Sequence, residues 1–140
     1  ATGLQWQNPV GFLTLPWEEA KTHCGELALD GGGWHLPTTD ELRTLIIGCP
    51  ETEAGGPCNI SVATCLEWQC RHDTCVGCPF YGGPSPNGCY WPDEMMGKCG
   101  SYWASSDVVD KPEWAWHIGF QGAYISPSVA AESAHVRCVR

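Results

Sequence analysis

The chain of 140 residues carries a formal charge of -9, with seven Lys and Arg against sixteen Asp and Glu; no basic stripe is left to neutralise phosphates, which argues against nucleic acid and anionic membrane surfaces as partners. Ten cysteines, eight tryptophans, seventeen glycines and eleven prolines describe one loop-rich, aromatic-cored domain over residues 1–140, stapled by cross-links and suited to an oxidising compartment. No run of about 18 apolar residues is present, and the start ATGLQWQNP lacks a charged and apolar leader, so neither membrane insertion nor a signal peptide is expected.

The first element expected is a helix in PWEEAKTHCGELAL, where Trp17, Ala20, Cys24, Leu27 and Ala28 fall at helical spacing and Glu18 and Glu19 occupy the first turn. A glycine turn (DGGG) and a short extended piece through Trp34 and Leu36 follow. A second helix then opens on Thr38 and Glu41, a T-x-x-E capping box, buries Leu42, Leu45 and Ile46, and stops at Gly48. Residues 49–101 hold eight of the ten cysteines and six of the eleven prolines without a helical or strand period. They read as an irregular, cross-linked insertion whose order comes from staples, since each fixed residue costs roughly 1–2 kcal/mol of backbone entropy.

Strands follow. SYWASS is one. In WAWHIGF the residues Trp114, Trp116, Ile118 and Phe120 share one face, and Ala115, His117 and Gly119 the other. QG is a turn, AYIS the return strand, and AHVRCV a closing strand with Val136 and Cys138 on one face and His135, Arg137 and Val139 on the opposite one.

Within the insertion, CRHDTCVGC sets Cys70, Cys75 and Cys78 at the C-x4-C-x2-C spacing. That pattern ligates two-iron clusters, with Cys99 or Cys89 as a fourth ligand, or zinc with His72, or it is part of a disulfide knot. Compartment and the crowd of neighbours (Cys49, Cys58 and Cys65) favour disulfides, but eight cysteines allow roughly a hundred pairings and none is assigned.

The order helix, helix, long excursion and a strand set ending in a cysteine is that of a C-type-lectin-like fold. The segments GLQWQ, WEEAKTHCGELAL, GGGWHLPTTDELRTLI, YWASSD, AWHIGFQGAYIS and VRCVR together resemble the bacterial domain family of the C-terminal region of the Legionella collagen-like adhesin, Lcl. The resemblance implies an α+β, C-type-lectin-like fold, with two helices packed on a small twisted antiparallel sheet. It also implies a Cys24 to Cys138 bridge, an extracellular or cell-surface location, and binding or adhesion rather than catalysis. The adhesin's own domain is trimeric and binds sulfated glycosaminoglycans. A homo-oligomer such as a trimer is therefore an implied partner, whereas the charge of -9 repels a sulfated polysaccharide and that ligand is not carried over.

Asp107, Asp110 and Glu113, in the loop before the tryptophan strand, offer hard oxygen donors that could hold calcium, and no other cofactor is expected; a solvated acidic loop is the simpler reading. Trp114 and Trp116 read as core by their register. His117, Gln121, Tyr124 and Ser126, on or near the hairpin, are the expected ligand-binding surface. No catalytic motif is visible, and a formylglycine-generating role for Cys89 and Cys99 rests on fold analogy alone, so no enzyme is expected. The expectation is an extracellular adhesion module recognising a carbohydrate or protein ligand through loops on a braced scaffold. The alternatives are an assembly domain of a surface fibre, and a metal or redox protein using Cys70, Cys75 and Cys78.

Overall fold

The computed structural model describes residues 3–140. A short strand β1 (Thr14–Pro16) runs directly into helix α1 (Trp17–Gly25), which buries Trp17, Ala20 and Cys24. The helix stops earlier than the spacing of Leu27 and Ala28 predicts, because Gly25 weakens the last turn. The chain then coils through Asp30 at φ 48° and three glycines at positive φ, and Ala28 is left exposed.

Helix α2 (Thr39–Arg43) opens on the expected capping box: Thr38 Oγ1 accepts from the Glu41 N–H, and the Glu41 carboxylate from the Thr38 N–H. It is shorter than expected. Leu45 and Ile46 bond back to Leu42 and Arg43 in tighter turns, and the Ile47 N–H leaves the helix to donate to Tyr90 O at 3.0 Å. A tertiary bond thus replaces the next helical one, while Leu42, Leu45 and Ile46 are buried as their spacing predicts.

Strands β2 (Ser101–Asp107), β3 (Trp114–Gly119), β4 (Tyr124–Val129) and β5 (Ser133–His135) complete a five-stranded sheet in the order β1-β5-β2-β3-β4. The sheet is mixed, not antiparallel throughout: β5 pairs antiparallel with β1 but parallel with β2, at Tyr102 and His135. The closing strand is also shorter than AHVRCV. After His135 the chain pairs instead with the N-terminal segment and with His35: Val139 and His35 exchange backbone hydrogen bonds, as do Arg140 and Gln5, the Gln7 N–H donates to Cys138 O, and the Cys138 N–H donates to Gln7 Oε1 at 3.1 Å, while the Arg137 guanidinium turns inward to Gln7 O and Met96 O over the rings of Trp91 and Tyr102. β4 runs on through Pro127, which its position at the sheet edge tolerates.

Alternation along β2 and β3 feeds two cores, because successive side chains leave a strand on opposite faces. Trp103 and Ala115 pack with Trp17, Ala20, Cys24, Trp34 and Cys138 beside α1. Tyr102, Trp116, Ile118 and Phe120 pack with Leu42, Ile46 and the insertion. The bridge between Cys24 and Cys138, 114 residues apart in sequence, ties α1 to the C-terminal segment.

The insertion is ordered by nested bridges. Cys49 pairs with Cys78, inside that loop Cys58 pairs with Cys75, and inside that Cys65 pairs with Cys70. The segment is therefore a finger with three rungs; Cys89 pairs separately with Cys99. At its base the buried Arg43 side chain donates to five backbone carbonyls of the finger's outgoing arm, those of Thr52, Glu53, Gly56, Cys58 and Ile60, at 2.8–3.4 Å.

Candidate ligand cleft

The innermost rung closes a loop of only five residues' separation, and Trp68 stands at its tip, opening a short 3-10 turn (Trp68–Cys70). Two hydrogen bonds dock that tip on the β2–β3 loop: Val109 N–H donates to Leu66 O at 3.2 Å, and Trp68 N–H to Asp110 Oδ1 at 2.9 Å. A third comes from the core, where the Trp116 indole N–H donates to Leu66 O at 3.0 Å. The returning arm lies along the β3–β4 turn, with Cys78 N–H on Gly122 O (2.7 Å) and Arg71 Nε on Ile125 O (2.8 Å). Gly77 makes that approach possible: its φ is +87°, and a Cβ would sit 2.2 Å from Gly122 O.

Docking brings Trp68 against Trp114, with ring centroids 6.4 Å apart and planes inclined by 48°. The two indoles, with Val108, Lys111 and Pro127, line a cleft of about 270 Å³. Trp114 is 37% exposed and Trp68 44%, whereas Trp116, two residues along the same strand, is fully buried. The expectation that both strand tryptophans are core thus holds for Trp116 only. Trp114 begins β3 at the sheet corner, pairs with Val129 on the edge strand, and faces the finger rather than the core.

Four indole N–H groups are committed to the fold. Those of Trp17, Trp34, Trp103 and Trp116 donate to backbone carbonyls. Among the described residues those of Trp68 and Trp114 have no acceptor, and the Lys111 ammonium is in no ion pair, the pairs being Lys21 with Glu18 and His35 with Glu41. The cleft therefore presents two aromatic faces and several uncommitted donors, a combination that holds a flat apolar surface edged with oxygens.

The other expected site residues are placed differently. His117, Tyr124 and Ser126 do share a face, His117 being paired with Ser126 and Gly119 with Tyr124, and the side chains of His117 and Tyr124 are engaged within the domain. His117 is buried rather than exposed; its Nδ1 lies 3.1 Å from Ser128 Oγ, and burial, with a smaller contribution from Arg71, pushes its pKa down to about 4. The Tyr124 hydroxyl accepts from Gln121 Nε2 and meets Ser101 Oγ, both at 3.0 Å, while its ring stacks on Phe80. Asp107, Asp110 and Glu113 are all exposed, and Asp110 has one oxygen committed to Trp68.

Among the described residues one trio, Cys65, Glu67 and Cys70, has metal-ligating atoms within 4.8 Å of one another, but its two sulfurs are bonded to each other. Cys70, Cys75 and Cys78 belong to three different bridges. The run that suggested an iron-sulfur or zinc site is the returning arm of the finger, and it contributes no thiolate. Trp68 escaped sequence reasoning because nothing periodic surrounds it; the available signal was its isolation, a large aromatic residue inside a tight cysteine pair.

A family model described as the Lcl C-terminal domain matches residues 1–140, the whole chain. The chain belongs to this family. Among curated proteins none matches it. As an Lcl C-terminal domain it is a small α+β unit with five disulfides, and no helix among its described residues is long and apolar enough to cross a membrane. Of the cleft's five lining residues one, Trp68, comes from the tip of the cysteine-rich finger, and the other four come from the β2–β3 loop and from strands β3 and β4.

Proposed function

We propose that this Lcl C-terminal domain is an extracellular, non-enzymatic adhesion module with a C-type-lectin-like scaffold, and that it meets its ligand, a carbohydrate or a protein, at the Trp68–Trp114 cleft. Family membership and the five bridges support the location and the adhesive role, since such a density of disulfides persists outside reducing compartments. The observation that carries the choice of site is the pair of exposed indoles, held 6.4 Å apart by a covalently closed tip. Exposed tryptophans immobilised in advance lose little entropy on binding, which is what makes an aromatic anchor effective.

The test is an array of glycans and extracellular-matrix proteins probed with the oxidised domain and with the Trp68→Ala/Trp114→Ala variant, each with and without chelator. The variant is expected to lose at least tenfold in binding to whatever the parent captures. Equal binding by the two proteins would remove the cleft from the mechanism. Concentration-dependent self-association without capture of any ligand would favour fibre assembly. Binding is expected to survive chelation, because Asp110 is engaged by Trp68 and the loop carboxylates are not gathered round one point.

A further inference from the structure

We infer that the cleft selects an electrically neutral, hydroxyl-rich ring, the pyranose unit of an uncharged glycan, and discriminates against sulfated and uronate-bearing chains. This rests on the reading of the cleft as the binding site and names what it takes. Four of the five lining residues have an acidic neighbour in sequence: Glu67 beside Trp68, Asp107 beside Val108, Asp110 beside Lys111 and Glu113 beside Trp114. Against these four carboxylates stands the single ammonium of Lys111. In a chain of net charge -9 these acidic neighbours repel an anionic ligand without having to touch it, since repulsion of this kind acts over about a Debye length, ~8 Å at physiological salt.

A trimethylammonium ligand suits the acidic surroundings but has no use for the donors of the lining residues. The lining residues supply two indole N–H groups without acceptors and the Lys111 ammonium, which call for ligand oxygens, while Asp110, fixed beside the cleft by the hydrogen bond from Trp68 N–H, has its second carboxylate oxygen for a ligand donor. Ring hydroxyls are both at once, and the C–H face of a pyranose supplies the flat apolar surface for the inclined indoles. The volume, about 270 Å³, lies below the roughly 300–1,000 Å³ of pockets for drug-sized ligands and suits the end of a chain or a disaccharide.

The experiment follows the indole N–H signals of the 15N-labelled, oxidised domain at physiological salt during titration with lactose, cellobiose and mannobiose as neutral probes, a heparin tetrasaccharide as the anionic probe and choline as the cationic one. At least one neutral disaccharide is expected to shift the Trp68 and Trp114 signals with millimolar affinity, leaving those of Trp103 and Trp116 in place, and Trp114→Ala is expected to weaken it at least tenfold. No response to the neutral probes at about 50 mM, or a stronger response of the same two signals to heparin or choline, overturns the inference. In the last two cases the cleft remains the binding site and only its ligand class is wrong. A ligand from the array that binds without moving either signal refutes the site itself.

Discussion

Replacing Arg43 by methionine tests whether one buried cation organises the finger. The guanidinium donates to five carbonyls, and burial lowers its pKa, opposed in part by the field of Asp40. Methionine keeps most of the stem's volume and adapts to irregular space. It leaves the carbonyls of Thr52, Cys58 and Ile60, all in buried residues, without a partner, while water can reach those of Glu53 and Gly56, in half-buried residues. Each orphaned carbonyl costs about 1–3 kcal/mol, so the three together cost on the order of 3–9 kcal/mol. The variant recovers the several kcal/mol that desolvating the cation takes from the parent. The carbonyls' cost less the recovered desolvation leaves an expected net loss of about 1–5 kcal/mol. Equilibrium urea unfolding of the disulfide-intact proteins, followed by tryptophan fluorescence, reads it as a lower midpoint with an unchanged slope. Arg43→Lys should fall in between, since an ammonium reaches fewer of the five acceptors. A loss below about 1 kcal/mol for the methionine variant would show that the rungs alone order the finger and that the reasoning about Arg43 is wrong.

Removing the longest bridge with Cys24→Ser/Cys138→Ser relaxes a separation of 114 residues; about 5 kcal/mol is expected in the chain-entropy model, seen as a melting temperature lower by roughly 10–20 °C. Trp116→Ala should cost about 3–5 kcal/mol and Trp114→Ala about 1 kcal/mol, because the first opens the core and the second removes a half-exposed ring; equal losses in thermal melts would contradict the burial described. His117 contributes a pH dependence of definite sign. With a folded pKa of about 4 against a reference of 6.5, the unfolded chain binds the proton first, so stability falls as pH drops from about 6.5 through 4, by on the order of 3 kcal/mol. His117→Gln should flatten that part of the denaturation midpoint's pH profile, and an unchanged profile would show that His117 is not the group responsible.

What was legible in the sequence follows from how local each feature is. The Thr38–Glu41 box needs only four consecutive residues, and the run Trp116, Ile118, Phe120 records a strand face directly, so both are found in place. β1 and β5, three residues each, have no periodicity to read and exist because they pair with each other. The parallel contact between β2 and β5 depends on where the chain re-enters the sheet, which no local pattern records. In the insertion the number of cysteines was plain but their nesting was not, since one linear order is compatible with many pairings. The cleft was half visible. Its carboxylate loop and Trp114 were noticed, but Trp68 acquires its neighbour only after three bridges fold the finger back onto the sheet.

The concentric connectivity has a consequence for survival under proteolysis. A proteolytic cut at any peptide bond between Cys49 and Cys78 leaves the two pieces joined, because the Cys49–Cys78 and Cys24–Cys138 bridges both span it. A cut between Cys58 and Cys75 is spanned by a third, and one beside Trp68 by a fourth. Nicked protein should run as a single band without reductant and as two with it, with the tip still clamped at both ends. The segment that carries Trp68 to the cleft is thus the one from which the loss of a peptide bond removes least.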